Sequence, residues 1–109
     1  MRILGIDPGL RVTGYACIEG WSPARIVEAG VFRLVRRGEE LPSIAERLQE
    51  LDSDFRALIA RTQPRAVAVE GLFSHYQHPA TAIIMGHARG VLLLAGFALL
   101  ALREGTEGG

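Results

Sequence analysis

The chain has 109 residues, of which 49% are hydrophobic and 22% are charged. This length predicts one domain with a single core, and this composition excludes fibrous and disordered proteins. Twelve arginines balance twelve acidic residues, and a single cysteine, Cys17, excludes an internal disulfide. Because the chain enters its first predicted strand directly after Arg2, without a leader-like segment, the expected location is the cytoplasm.

The first predicted strand ends on an acidic residue. The apolar run 3–6 suits a buried strand, and Asp7 follows it directly. Pro8 presets the backbone for a turn and Gly9 admits a positive φ, so Asp7 is held at the end of the strand. The run 12–18 predicts a second strand that forms an antiparallel hairpin with the first. An acid in this position either caps its own turn or belongs to a functional site, and the hairpin alone leaves both open.

A third strand and an amphipathic helix follow the hairpin. The strand is expected from about Ile26 to Val35, and the helix from Leu41 to about Arg61. Apolar residues recur in the helix at intervals of three and four, which is typical of one buried stripe. Ser43 with Glu46 predicts a capping box at the start of the helix.

Three arginines near the end of the third strand form the nearest approach to a basic patch. They are Arg33, Arg36 and Arg37, and DNA-binding domains usually show such a patch. Glu39 and Glu40 follow at once, so a solvated turn is the favoured interpretation. The neutral net charge argues against a nucleic-acid-binding protein unless dimerisation or a further segment supplies positive charge.

A second acidic residue repeats the pattern around Asp7. The short β-branched run 65–69 precedes Glu70, which is followed by Gly71. Carboxyl ends of parallel strands meet at one edge of a sheet, so we expect Asp7 and Glu70 to lie side by side and to share a Mg²⁺ ion. The order of three strands, a helix, a strand and a helix predicts an α/β fold in which the first helix crosses over between the two acid-bearing strands.

Three separated segments resemble the RuvC family of Holliday-junction resolvases. They are residues 4–15, the pair Val69-Glu70 with Phe73, and residues 86–91. The resemblance runs from Met1 to about Ala95 and leaves 96–109 as a divergent tail that is first apolar and then rich in glycine. It implies a ribonuclease-H-like mixed sheet flanked by helices, incomplete at the C-terminus.

The resemblance also implies an activity. RuvC-type proteins are Mg²⁺-dependent endonucleases, with Mn²⁺ as a possible substitute, that act as homodimers and nick four-way DNA junctions during recombination and repair. It implies Asp7 and Glu70 as catalytic residues and metal ligands, Arg11 and Phe73 as DNA-binding residues, and a branch-migration helicase as a partner. Phe73 is either a core aromatic or an exposed ring that stacks on an unpaired base, and stacking is favoured.

Two further features of the second half invite interpretation. His75 and His78 form an H-x-x-H pair beside Pro79, but the sequence offers no nearby cysteine, so solvent or phosphate contacts are expected rather than a zinc site. Arg89 lies between small residues and is expected to approach a backbone or a dimer partner.

The end of the chain departs from the family pattern. Family members continue with a fifth strand and a last helix that supplies two more aspartates, whereas this sequence has no Asp after Asp54. Glu104 and Glu107 lie in a glycine-rich end that is not expected to hold a ligand. The apolar run from Val91 to Leu102 is too short to span a bilayer and is expected to form a helix without its usual partners.

Three functions follow from these observations. The first is a junction endonuclease whose activity is impaired by the missing carboxylates, and the second is a noncatalytic nucleic-acid-binding or dimerising remnant. The third is an actin-like ATPase domain, because proteins of that class begin with a similar hairpin, in which a strand is followed by Asp and Gly. Such ATPases need a second nucleotide-binding lobe, for which 109 residues leave no room.

Overall fold

A computed structural model describes residues 1–70 and the helical backbone of residues 79–108, with side chains of that helix described from 83 to 100. Within these residues the chain forms four strands and two helices. They are β1 (Arg2–Asp7), β2 (Val12–Glu19), β3 (Arg25–Arg33), α1 (Ile44–Thr62), β4 (Ala66–Val69) and α2 (Pro79–Gly108). The predicted order of elements is confirmed.

The described strands form one mixed sheet in the order β3-β2-β1-β4. β1 is antiparallel to β2 and parallel to β4, and β2 is antiparallel to β3. The connection from β1 through β2, β3 and α1 brings β4 to the free side of β1. The predicted hairpin and the predicted parallel pairing of the two acid-bearing strands are therefore both present.

One face of the sheet lies in the core. Leu4 and Ile6 of β1 are buried together with Phe55 of α1 and Leu92 of α2. Because side chains alternate along a strand, the residues that alternate with Leu4 and Ile6 in β1, namely Gly5 and Asp7, face the opposite side of the sheet. We call that opposite side the open face, and among the described residues it includes Gly5, Asp7, Gly14, Ala16, Ala68 and Glu70.

Helix α1 begins at Ile44, three residues later than the sequence predicts. Ser43 has extended backbone angles, and its Oγ accepts a hydrogen bond of 3.1 Å from the Glu46 N–H. Pro42 further restricts Leu41 to extended conformations, which excludes it from the helix. The predicted cap at Ser43 is confirmed, whereas the predicted start at Leu41 is wrong.

Strand β3 ends at Arg33, before the predicted end at Val35. The backbone N–H groups of Leu34 and Val35 both donate to the carbonyl oxygen of Arg11, at 2.9 and 3.3 Å. These bonds take the chain out of the ladder with β2 and hold it against the β1–β2 turn. The end of β3 is thus fixed beside the acid-bearing hairpin.

Helix α2 is longer than the sequence predicts. It begins at Pro79, a residue suited to the first helical position, and runs through Gly108 without a break at residue 95. The 18-residue segment Ile83–Leu100 has a mean hydropathy of 1.9. By length and composition alone, this segment is long and apolar enough to span a membrane. The sequence analysis considered only the apolar run that starts at Val91 and expected it to be too short to span a bilayer. For the longer helix, that expectation about length was wrong.

The packing of α2 is that of a helix lying on a sheet. Ala88, Leu92 and Ala95 are fully buried in the core shared with α1 and the sheet. A helix that packs in a core meets the same length and hydropathy criteria as a membrane span. The opposite side of α2 is exposed and apolar, with Ile83, Leu93, Leu94 and Phe97.

Candidate metal centre

The structure brings the two predicted acids together. Ile6 pairs with Val69 across the parallel strands, and the N–H of Glu70 donates to the carbonyl oxygen of Ile6 at 3.0 Å. Because Ile6 and Val69 both pack toward the core, the residues that follow them, Asp7 and Glu70, both emerge on the open face. Both acids are exposed.

The two carboxylates interact directly. A hydrogen bond with Asp7, and then the repulsion from its negative charge, raise the pKa of the Glu70 carboxyl. When both groups are ionised, the pair concentrates negative charge at one sheet edge, and a cation between them relieves the repulsion. Exposed carboxylate oxygens are also the protein ligands that Mg²⁺ prefers.

The donor set fits one Mg²⁺ ion better than two. Mg²⁺ is commonly held by one or two carboxylates and keeps several waters, as Asp7 and Glu70 allow. A two-metal centre needs further ligands to fix ions about 3.5–4 Å apart. Within the part of the chain that the structure describes, no group of three or more His, Cys, Asp or Glu residues is placed to hold a metal.

A shallow cavity adjoins the acids on the open face. It has a volume of about 460 Å³, and Asp7 and Glu70 line one end of it. Its floor has almost no side chains, because Gly5 faces Ala16 on one side and Ala68 on the other. A flat floor of this kind lets an extended backbone approach the carboxylates closely.

The turn between β1 and β2 is closed by a residue that sequence reasoning missed. Thr13 is fully buried, and its Oγ1 accepts from the Gly9 N–H at 3.0 Å and donates to the Gly9 carbonyl oxygen at 2.7 Å. These two bonds fix the turn that follows Asp7. The sequence signal is a threonine four residues after a turn glycine, and it becomes informative only together with the burial of Thr13.

Gly9 is required for space and not for its φ angle. A Cβ atom at this position would lie 2.3 Å from the carbonyl oxygen of Val12, far inside van der Waals contact. The positive φ angles among described glycines are at Gly20 and Gly38. The expectation of a positive φ at Gly9 was wrong, although glycine is needed there.

The other residues that the sequence analysis singled out do not all lie beside the two acids. Arg11 is exposed in the β1–β2 turn, at the same end of the sheet as Asp7. Phe73, His75 and His78 lie outside the described residues, so their expected contacts stay predictions. Arg89 is half-buried on α2, and its Nε is buried without a hydrogen-bond partner among the described residues.

The family model described as "Crossover junction endodeoxyribonuclease RuvC" matches residues 3–101. The chain belongs to this family. It is 50% identical over 94 residues to the crossover junction endodeoxyribonuclease RuvC of Rhodopirellula baltica, covering 85% of this chain and 51% of the relative. The RuvC of Halorhodospira halophila is 45% identical over 94 residues, covering 86% of this chain and 53% of the relative. The chain thus spans about half the length of the curated relatives it matches.

Solved RuvC structures share the fold. T. thermophilus RuvC in complex with Holliday junction substrate superposes with a TM-score of 0.75 at 28% identity, covering 90% of this chain and 59% of that one. A second Thermus thermophilus RuvC structure gives a TM-score of 0.69 at 29% identity, with 90% and 58% covered. The ribonuclease-H-like mixed sheet is therefore confirmed. The family match also extends past Ala95, where the sequence resemblance was expected to end.

Proposed function

We propose that this chain acts on four-way DNA junctions in recombination and repair, as an endodeoxyribonuclease of the RuvC type. One observation supports this above the others: Asp7 and Glu70, the two acids of the family pattern, emerge side by side from parallel strands on an exposed sheet face. A solved relative contains Holliday junction substrate, which is the substrate class we propose for this chain.

In this proposal Asp7 and Glu70 are the metal ligands and catalytic residues. Bound Mg²⁺, or Mn²⁺ in its place, polarises a phosphodiester and lowers the pKa of a coordinated water. The carboxylate oxygens of the two acids would hold the cation, and the Thr13 hydroxyl holds the turn that fixes Asp7. The floor of small residues leaves room for the DNA backbone at the carboxylates.

Arg11 and Phe73 are the proposed DNA contacts of the family pattern. Arg11 is exposed at the same sheet end as Asp7, where its guanidinium can reach a phosphate. Phe73 follows Glu70 by three residues, and an aromatic ring that stacks on an unpaired base contributes about 1–3 kcal/mol per base. Both roles follow from the family resemblance.

We further propose that the chain works as a homodimer in the cytoplasm, together with a branch-migration helicase. The exposed apolar side of α2, with Leu93, Leu94 and Phe97, supports an assembly that covers it. We propose no membrane partner, because the other side of α2 is buried in the core.

A noncatalytic junction-binding remnant is the second candidate. It is favoured by the two-carboxylate site, since the described residues supply no third metal-binding side chain. In either case we expect this chain to bind junctions, and we expect at most weak cleavage, because the described residues supply no ligands for a second metal.

The test uses the purified chain and a fluorescently labelled four-way junction. We expect junction binding that exceeds binding to a linear duplex of the same arms, and at most slow nicking with Mg²⁺. Nicking that is lost in Asp7→Asn would identify an impaired enzyme, and binding without any nicking would identify the remnant. Equal affinity for junction and duplex, or no binding to either, would overturn the proposal.

A further inference from the structure

Ion pairing sorts the arginines of this neutral chain into two groups. Described ion pairs involve Arg2, Arg25, Arg36, Arg56 and Arg61. Among the exposed arginines that the structure describes, Arg11, Arg33, Arg37 and Arg65 form no ion pair with a described residue. The net charge of zero therefore hides local positive charge that is not compensated.

Arg33 lies on the same face of the sheet as the two acids. It is the last residue of β3, and the preceding residue, Phe32, is buried and packs its ring 4.8 Å from that of Tyr15. Strand alternation then directs Arg33 to the open face. The predicted strand from about Ile26 to Val35 included Arg33, and the structure places it as the last residue of β3.

The strand register gives the separation between Arg33 and Asp7. Asp7 faces Gly14, and Arg33 faces Val12, two residues further along β2. With strands about 4.8 Å apart and a rise of about 3.3 Å per residue, the Cα atoms of Arg33 and Asp7 are about 12 Å apart. This separation is too long for an ion pair, and it corresponds to about three to four base pairs along the axis of a duplex, at about 3.4 Å per base pair.

The position of Arg33 is fixed by the turn beside it. The carbonyl oxygen of Arg11 accepts hydrogen bonds from Leu34 and Val35, which directly follow Arg33. Leu34 is also fully buried, so both hydrogen bonds and packing hold the end of β3 in place. Arg11 and Arg33 therefore stay at one end of the sheet, the end that carries the acids.

Acidic residues accompany the other exposed arginines near this end. Arg36 donates to Oε1 of Glu50 at 2.6 Å, which neutralises it. Arg37 is followed within three residues by the exposed Glu39 and Glu40. Arg47 is half-buried and donates to the carbonyl oxygens of Pro42 and Leu10. Arg33 and Arg11 are therefore the exposed arginines at this end that have neither an ion pair with a described residue nor an acidic residue within three positions in the sequence.

We propose that Arg33, together with Arg11, binds backbone phosphates of a DNA arm that leaves the Asp7–Glu70 site. A guanidinium binds phosphate through two parallel hydrogen bonds, and such contacts fix the position of a duplex without reading its sequence. Phosphates that approach two carboxylates are repelled, and a guanidinium at the other end of this span offsets part of that repulsion. This inference rests on the proposed function.

The test measures junction affinity by fluorescence anisotropy, with and without Mg²⁺, for variants of the full chain. We expect Arg33→Gln to weaken binding at 50 mM salt, and we expect its difference from wild type to shrink about threefold between 50 and 200 mM salt, because the slope of log K against log salt falls by about one when one phosphate contact is lost. Arg11→Gln should behave alike, and Arg33→Lys should retain most of the affinity. Arg65→Gln is the matched control, because Arg65 is exposed without a described ion pair at the opposite end of the sheet.

The outcomes separate this inference from the proposed function. A loss for Arg33→Gln that is equal on junctions of different sequence, with an unchanged melting temperature, supports the phosphate contact. Wild-type junction binding that is unaltered in Arg33→Gln, or a loss equalled by Arg65→Gln, overturns the inference and leaves the proposed function standing. An absence of junction binding in the wild-type chain overturns both.

Discussion

Arg61 and Glu28 form a two-point ion pair that joins the last turn of α1 to β3. Nε of Arg61 lies 2.9 Å from Oε1 of Glu28, and Nη2 lies 2.7 Å from Oε2. The hydroxyl of Tyr15 donates to the same Oε2 at 2.7 Å. The bond from Arg61, and then the bond from Tyr15, lower the pKa of Glu28 to about 2. The carboxylate therefore couples the helix to two strands of the sheet.

This ion pair predicts how stability depends on pH. The folded-state pKa of Glu28, about 2, lies below the ordinary value of 4.5, so its stabilisation is present above pH 4.5 and is lost as the pH falls toward 2. We expect Glu28→Gln to lower the urea midpoint at pH 7 and to change it much less at pH 2.5. Glu40→Gln, at an exposed loop position, is the control and should change neither. An equal loss for Glu28→Gln at both pH values would contradict the prediction.

The acidic pair predicts stabilisation by metal. The raised pKa of Glu70 means that the folded pair becomes less favourable as the pH rises through the ordinary glutamate range. We therefore expect Glu70→Gln to raise the melting temperature of the metal-free chain at pH 7. Saturating Mg²⁺ should raise the melting temperature of the wild-type chain, and at a concentration of 100 Kd the gain is about 2.7 kcal/mol.

The matched variants for the metal experiment are Asp7→Asn and Glu40→Gln. Asp7→Asn should abolish the Mg²⁺-dependent shift, because one carboxylate binds Mg²⁺ weakly, whereas Glu40→Gln should keep it. A shift of the same size in wild type and Asp7→Asn would place the metal elsewhere. Isothermal titration with Mg²⁺ gives the same comparison without heating.

The buried hydroxyl of Thr13 predicts a cost for its removal. Thr13→Val keeps the shape of the side chain but leaves the Gly9 N–H without its partner, which costs about 1–3 kcal/mol of unfolding free energy. Thr13→Ser keeps the hydroxyl and should cost less. Urea unfolding measures both, and we expect Mg²⁺ affinity to fall in Thr13→Val alone. Equal stability of wild type and Thr13→Val would show that the turn does not depend on this hydroxyl.

The outer side of α2 predicts self-association. Leu94 is 67% exposed and Phe97 is 73% exposed, on the side of the helix away from the core. Covering about 400 Å² of such surface gains about 10 kcal/mol before the entropy of association is subtracted. Sedimentation velocity at micromolar concentration should show dimers or larger species, and the double variant Leu94→Gln with Phe97→Gln should shift them toward monomer. A monomeric wild-type chain would refute this.

The position of Asp7 and of Glu70, each at the end of a strand, was predictable because local signals determine it. Each acid follows a short apolar strand and precedes a turn, and parallel strands align their carboxyl ends. The helix cap at Ser43 was predictable for the same reason, since capping depends on residues within one turn. The sequence therefore predicted the fold class and the two acids together.

Features that depend on long-range register were not predictable. The position of Arg33 on the open face follows from its pairing with Val12, which a single sequence does not reveal. The hydroxyl of Thr13 became informative only once its burial was known. The length of α2 was underestimated because residues 96–109 were interpreted as a divergent tail, whereas the helix runs from Pro79 through Gly108.

The tight contact at Gly9 has a consequence for mutational scans. Any side chain there would displace the carbonyl of Val12 and distort the loop on which Asp7 depends. A saturation screen scored by Mg²⁺ binding should therefore rank Gly9 beside Asp7 in intolerance, although Gly9 has no functional group. Abundance scored in the same library would separate the two positions, since Gly9 variants should be depleted from the folded protein pool while Asp7→Asn accumulates normally.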